Sequence, residues 1–275
     1  MKHALWLTDG TITNPPDLVD AAVEAEDAGW DGLFVSDSLP FEEFPDPFAL
    51  LSGIATRTES IQLGTWVVPF PRRQPWQLAQ EIATLDRLAD GRLLVGAGMG
   101  NAEDYEAYGR PYEPRRLGAQ LDETLEILVG LWSGEPFSYE GEYFSLEEAT
   151  VGPTPIQEPR VPLLMGCWWP NKGPFRRGAR WDGIMPWFAS LASDGTGPRG
   201  EAPTGTPAEE VREMLAFYTD YAEDPGDVLL PTIPTDDEAA FRETLAEFDV
   251  SWLLETSLGE GPREAREFVR AGPPD

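Results

Sequence analysis

The sequence predicts one domain over residues 1–275, a (β/α)8 barrel of parallel strands with a shortened excursion before its fifth strand. The first ground is length: 275 residues suit a single such barrel, which takes roughly 250. The second is order, because stretches that read as strands alternate with stretches of helical periodicity and eight strands can be counted. The third is the character of those strands. They are mostly apolar without strict two-residue alternation, as expected of a parallel sheet covered on both faces.

The clearest unit runs from Ile61 to Asn101, IQLGTWVVPFPRRQPWQLAQEIATLDRLADGRLLVGAGMGN. Ile61 to Val68 is rich in β-branched and aromatic residues and reads as a strand. Pro75 suits the first turn of a helix, along which Leu78, Ile82, Leu85 and Leu88 recur at helical spacing. Gly91 can take the left-handed conformation that ends the helix. Arg92 to Ala97 is a second strand, and the short connection allows only a right-handed parallel crossover. Gly96, Gly98 and Gly100 at its exit mark a place where backbone approaches something closely.

In chain order, residues 2 to 8 are a first strand, ended by Asp9 and Gly10. Asn14 is placed to cap the next helix, with Pro15 in its first turn and Gly29 closing it. Gly32 to Asp37 is strand two, and PDPFALLSGIATRT carries a helix. After the central block, Arg115 to Trp132 aligns Leu117, Leu121, Leu125, Leu128 and Leu131 on one side of a helix. The excursion that follows pairs aromatics Tyr139, Tyr143 and Phe144, which suggests a hairpin or flap. Val161 to Cys167 is strand five and Gly183 to Trp187 strand six. Ser190 to Thr206 is a loop of small residues at the catalytic face, either a lid or a surface insertion. Thr206 and Glu209 form a capping box, as do Thr235 and Glu238. DVLLPTI is strand seven, Val250 to Glu255 strand eight, and Pro262 to Ala271 a closing helix.

Charge excludes several partners. With 49 acidic against 20 basic residues the net charge is −29, which argues against nucleic acid and anionic membranes. Lys2 and Lys172 are the only lysines. Such a surface reads either as adaptation to a salt-rich cytoplasm, a halophilic trait, or simply as an acidic protein. His3 and Cys167 are the sole histidine and cysteine, so disulfides, Cys/His zinc sites and histidine-dependent nucleophile pairs are excluded and no metal is expected. No apolar run approaches a membrane span and no signal pattern opens the chain, so the expected location is cytoplasmic.

In a barrel of this kind the site is built from the loops after the strands. That rule selects Asp9; Asp37 and Ser38; Thr65 and Trp66; Gly98, Gly100 and Asn101; Gly166 to Arg177; and Glu255. In so acidic a chain, GCWWPNKGPFRRGAR stands out by gathering Lys172, Arg176, Arg177 and Arg180. A turn bearing glycine and asparagine, leading into a helix beside a lysine, suits a phosphate. The alternative is that these cations lie on the outside of the helix and offset nearby carboxylates. Asp37 and Glu255 are the candidate acid–base groups, with Asp37 as a structural carboxylate the competing reading. Trp168, Trp169 and Trp187 either line an apolar substrate pocket or are core. Gly96-x-Gly98-x-Gly100-Asn101 fails the dinucleotide fingerprint, since Asn101 stands at the third glycine.

The segment PRRQPWQLAQEIATLDRLADGRLLVGAGMG resembles that shared by luciferase-like monooxygenases and their deazaflavin-dependent relatives. WPNKGPFRRGARWDGIMP is similar to the phosphate-holding segment of one subgroup. The likeness is strongest over Ala25 to Trp132 and Pro159 to Pro186. It implies a (β/α)8 barrel that binds FMN or coenzyme F420 at the carboxyl ends of its strands. The phosphate would fall to Gly166, Asn171 and Lys172, backed by Arg176 and Arg177, and Gly98 and Gly100 would lie against the cofactor. Thr65-Trp66-Val67 would carry a non-proline cis peptide beside the flavin ring. Many relatives have a histidine where Ser38 stands, and its absence sets this chain apart from true luciferases.

The implied activity is a flavin-type oxidoreductase acting on a small organic molecule, by oxygenation with reduced FMN or hydride exchange with F420. The alternatives are a cofactor-binding barrel without turnover and, less well supported, a phosphosugar-type barrel enzyme. The resemblance also implies a homodimer.

Overall fold

The computed structural model describes residues 1–8, 11–39, 44–188, 206–232, 238–256 and 261–274. Eight strands form the barrel: β1 (Lys2–Trp6), β2 (Gly32–Val35), β3 (Gln62–Thr65), β4 (Leu93–Gly98), β5 (Leu163–Trp168), β6 (Gly183–Trp187), β7 (Asp227–Pro231) and β8 (Trp252–Glu255). Each is parallel to the next, from Ala4 opposite Gly32 round to Leu229 opposite Trp252. Pairing of Lys2 with Trp252 closes the ring. The expected eight-stranded barrel is therefore the observed fold.

The outer layer comprises α1 (Pro15–Asp27), α2 (Pro47–Ala55), α3 (Pro75–Leu88), the single turn α4 (Glu103–Glu106), α5 (Pro114–Trp132), α6 (Lys172–Gly178), α7 (Pro207–Tyr221), α8 (Glu238–Glu247) and α9 (Pro262–Ala271). Proline opens α1, α2, α3, α5, α7 and α9, where its missing N–H costs no hydrogen bond. Gly91 ends the α3 turn at φ +76° and Gly29 the α1 turn at φ +88°. The Thr206–Glu209 capping box is present, with Glu209 N–H donating to Thr206 Oγ1 and Thr206 N–H to Glu209 Oε2. Asn14 differs from expectation. It stands at the N-cap, but its side chain donates to Asp17 Oδ2 at 2.8 Å and accepts no cap bond. The Thr235–Glu238 box lies outside the described residues.

Two apolar layers result. The leucines expected along α5 are buried with α3 and the outer strand faces: Leu117, Leu121, Leu125, Leu128 and Leu131 are at most 3% exposed. Deleting one such side chain costs about 2–5 kcal/mol. Inside the ring, Ala4, Phe34, Trp66, Leu94, Leu164, Met185, Leu229, Trp252 and Leu254 form a separate cluster. Phe34 lies over Gly64, where any Cβ would collide with the ring.

Strand three is shorter than the Ile61–Val68 stretch the sequence suggests. It stops at Thr65, the Trp66–Val67 peptide is cis, and Val68–Pro69 resumes pairing against Ala97 and Gly98 of β4. Trp66 and Val67 both belong to the interior cluster, which strict strand alternation would not allow.

The excursion is an antiparallel hairpin of Phe137–Glu140 with Ser145–Ala149. It is fastened to α5. The Glu123 carboxylate accepts the backbone N–H groups of Glu142, Tyr143 and Phe144 at 2.7–3.2 Å. Tyr139 donates its hydroxyl to Glu126 Oε2 at 2.7 Å, and the Phe137 ring covers Gly130.

Candidate functional site

The carboxyl ends of β1, β3, β5 and β6 bring four tryptophans together. Trp187 is the hub, with ring centroids 6.0 Å from Trp6, 6.4 Å from Trp66 and 6.3 Å from Trp168. Trp6 Nε1 donates to Ser36 Oγ at 2.8 Å, and Ser36 Oγ donates to the Trp66 carbonyl at 2.9 Å. Ser36 N–H in turn donates to Thr8 Oγ1 at 2.7 Å, so β1, β2 and the β3 exit are tied across the mouth. Trp168 Nε1 is buried and has no hydrogen-bond partner among the described residues. Trp169, one residue on, turns outward and packs on Phe175 and Phe217.

The glycines of β4 and β5 accommodate protein atoms. A Cβ on Gly98 would meet Val67 Cγ2 at 2.8 Å, and one on Gly166 the same atom at 3.0 Å. Gly100, at φ +75°, is crowded by Pro69 and Asp104. Thr65 is fully buried, its Oγ1 accepting from Gly96 N–H at 2.9 Å and donating to Gly96 O at 3.1 Å. The Thr65 hydroxyl thus joins β3 to β4.

A buried ionic network surrounds Asp37. Its carboxylate accepts from Arg72 Nη2 and, at 3.2 Å, from Arg73 Nη2. Arg72 Nη1 also donates to Asp104 Oδ1 at 2.9 Å, and Arg73 Nη2 to Asp46 Oδ2 at 2.8 Å. Asp104 further accepts from Asn101 N–H at 2.9 Å and from Ser38 Oγ at 3.3 Å. The loops after β2, β3 and β4 are therefore clamped by Arg72, whose side chain is only 8% exposed. Burial pushes the Glu81 carboxyl up despite Arg73, with Asp46 and Asp37 adding to the rise. The Asp37 carboxylate is thus held by two guanidinium groups.

Glu255 lies elsewhere. It shares its side of β8 with Leu253 of the outer core, and its Oε1 is 3.0 Å from His3 Nδ1. Contrary to the sequence reading, this carboxylate faces the helix layer, away from the tryptophans, and His3 is its partner. Asp9 and the loop from Ser190 lie outside the described residues.

The basic segment divides into two pairs. Arg177 and Arg180 both donate to Asp122 Oδ1 at 2.8 Å. Burial raises the Asp122 carboxyl, but the Arg177 hydrogen bond and the two nearby charges outweigh it and leave it below the usual carboxylate range. Lys172 and Arg176 have no carboxylate partner among the described residues. Lys172 Nζ stands 4.7 Å from the Phe217 ring centroid and the Arg176 guanidinium 5.7 Å from that of Tyr221. Asn171 caps α6 by accepting from Gly173 N–H at 3.4 Å. Since β4 and β5 are parallel neighbours, Lys172 and Gly98 lie at the same end of the barrel.

A planar, anionic cofactor fits these surroundings. The mouth offers an aromatic bed, and two cations without a carboxylate partner among the described residues follow β5. A concavity of about 490 Å³ lies on the flank, between α3 and the hairpin, lined by Trp76, Gln80, Leu146 and Val151. It contains no ionisable lining residue. Among the described residues no cluster of His, Cys, Asp and Glu is arranged to hold a metal, and no helix is long and apolar enough to cross a membrane.

Sequence reasoning missed Arg72, Asp104, Trp6 and Ser36. The Arg72-Arg73 doublet directly after a strand, in a chain with few cations, was the available signal. Nothing local marked the other three.

Comparison with known proteins agrees with the fold and the resemblance. The family model for luciferase-like monooxygenases matches residues 1–271. An F420-dependent glucose-6-phosphate dehydrogenase of Kineococcus radiotolerans is 37% identical over 164 residues, 57% of this chain and 48% of that protein. The matched stretch thus spans about half the length of that relative. One of the same name from Intrasporangium calvum is 27% identical over 301 residues, covering 97% of this chain and 89% of its own length. Monooxygenase RslO1 from Streptomyces bottropensis superposes with a TM-score of 0.77 at 19% identity, over 98% of this chain and 97% of that one, and so shares the fold. With a family model matched almost end to end, the chain belongs to the luciferase-like monooxygenase family.

Proposed function

We propose that this protein is an oxidoreductase that binds F420 or FMN at the barrel mouth and acts on a small organic molecule. The carrying observation is the pairing of a tryptophan-lined mouth with Lys172 and Arg176, cations without carboxylate partners among the described residues of a chain of net charge −29. The names of the sequence relatives favour F420.

Lys172, Asn171 and Arg176 would hold the phosphate, with Gly166 at the inner edge and Arg177 fixing α6 through Asp122. Trp66 and the Gly98–Gly100 turn would border the ring. When bound, such a cofactor supplies hydride exchange or, as reduced flavin with oxygen, oxygen transfer. The chain contributes binding, orientation and exclusion of water: Trp6, Trp66, Trp168 and Trp187 present apolar surface, and the Asp37–Arg72–Asp104 clamp holds the surrounding loops. With Asp37 committed to two guanidinium groups, it is an anchor for the mouth rather than a free base.

The test is titration of the purified protein at high salt with FMN and with F420, followed by fluorescence. F420 binding with anaerobic turnover supports the dehydrogenase or reductase form. FMN binding with substrate-dependent oxygen uptake supports the monooxygenase form. Affinity for neither cofactor refutes the reading.

A further inference from the structure

The orphaned donor at the mouth bears on the substrate. Three other indoles find acceptors: Trp6 on Ser36 Oγ, Trp30 on Val269 O at 2.8 Å and Trp132 on Ala79 O at 2.9 Å. Trp168 Nε1 is buried and has none among the described residues. A buried N–H without an acceptor is costly and uncommon, and this one sits at the carboxyl end of β5. The surroundings restrict a ligand that would meet it. Trp187 offers flat apolar surface beside Trp168, with the largely buried Trp66 packed on Trp187, which suits a conjugated ring system.

Charge argues in the same direction. Arg72 and Arg73 are held by Asp37, Asp104 and Asp46, and Arg177 and Arg180 by Asp122. Lys172 and Arg176 lie against α7, where the functional reading assigns them to the cofactor phosphate. Among the described residues, no lysine or arginine stands over the ring of Trp66, Trp168 or Trp187 to meet a second phosphate.

We propose that the substrate is a flat, uncharged, conjugated molecule whose carbonyl or hydroxyl oxygen accepts the indole N–H of Trp168, and that it is not a phosphorylated sugar. This rests on the reading of the mouth as the ligand site. Trp168 acts as a positioning and specificity residue, fixing the oxygen and thereby the edge of the ring presented to the cofactor.

The experiment follows the indole ¹H–¹⁵N resonance of Trp168, assigned by its loss in Trp168→Phe, at high salt. The probes are 2-acetylnaphthalene, 2-ethylnaphthalene, glucose 6-phosphate, FMN and F420. 2-Acetylnaphthalene is expected to move the resonance downfield and to bind about tenfold more weakly to Trp168→Phe, the worth of one hydrogen bond. 2-Ethylnaphthalene, lacking the oxygen, is expected to bind both chains equally. If Trp168→Phe does not fold, the contrast between the two naphthalenes on the native chain decides. An unmoved resonance with 2-acetylnaphthalene, or movement with glucose 6-phosphate, overturns the proposal. So does movement by FMN or F420 alone with weaker binding of that cofactor to Trp168→Phe, which would assign the donor to the cofactor. If neither cofactor binds while 2-acetylnaphthalene still moves the resonance, the oxidoreductase reading falls and the binding assignment stands.

Discussion

Gly98 is the residue that makes room for Val67: a Cβ at Gly98 would lie 2.8 Å from Val67 Cγ2, with no other atom but Val67 Cβ within 4 Å. Gly98→Ala is therefore expected to destabilise the fold by about 1–3 kcal/mol through overpacking. Val67→Ala should relieve it, so that the double variant falls short of the summed single losses by about 1 kcal/mol. Gly96→Ala should not be relieved in this way, because its Cβ would also strike the Thr65 carbonyl. Urea unfolding of the singles and doubles measures both; strict additivity for Gly98 and Val67 would contradict the packing described.

Arg72 is the shared partner of two buried carboxylates, Asp37 and Asp104. Arg72→Ala leaves both without their common cation and should cost about 3–5 kcal/mol. Adding Asp104→Asn to that variant should recover part of the loss. Denaturant midpoints report this, and a loss under about 1 kcal/mol would show that the clamp carries little stability.

Lys172→Ala should weaken F420 or FMN binding at least tenfold while leaving the melting temperature without cofactor unchanged. Fluorescence titration at fixed salt provides the measurement. Equal affinity in the variant would remove Lys172 from the phosphate site.

Asp122 titrates below its ordinary value in the fold because Arg177 and Arg180 outweigh its burial. The unfolded chain then binds the proton more readily, so stability rises with pH across the gap between the two values. The contribution is fully present above about pH 4, the ordinary aspartate range, and disappears as pH falls through the lower folded value. Asp122→Asn should flatten this acid limb in pH-dependent urea unfolding, and an unchanged limb would count against the pairing.

The net charge of −29 predicts that the melting temperature climbs between about 0.1 M and molar salt as like charges are screened over a shrinking Debye length. Differential scanning calorimetry across that range tests the halophilic reading, which a flat profile would exclude.

The strand–helix–strand unit from Ile61 to Asn101 was readable because its determinants are local. They include helical spacing from Leu78 to Leu85, a proline at the helix start and Gly91 at positive φ. Side-chain duties at the site were less legible, because each depends on a partner remote in sequence. Asp37 meets Arg72 35 residues on, Thr65 meets Gly96 31 residues on, and Glu255 meets His3 across 252. Residue type also underdetermined direction: Trp168 faces the barrel mouth, and its neighbour Trp169 faces the helices. The glycines at the β4 exit signalled close approach, and the approaching groups belong to the same chain: Val67 at Gly98, Met185 and the Thr65 carbonyl at Gly96, Asp104 and Pro69 at Gly100.

The hairpin before β5 is held along one face of α5 by Glu123, Glu126 and Gly130, a row spaced three and four residues apart. Three backbone amides converge on a single carboxylate there, and an aromatic ring closes over the far end. So anchored, the segment is a buttress on the flank rather than a gate.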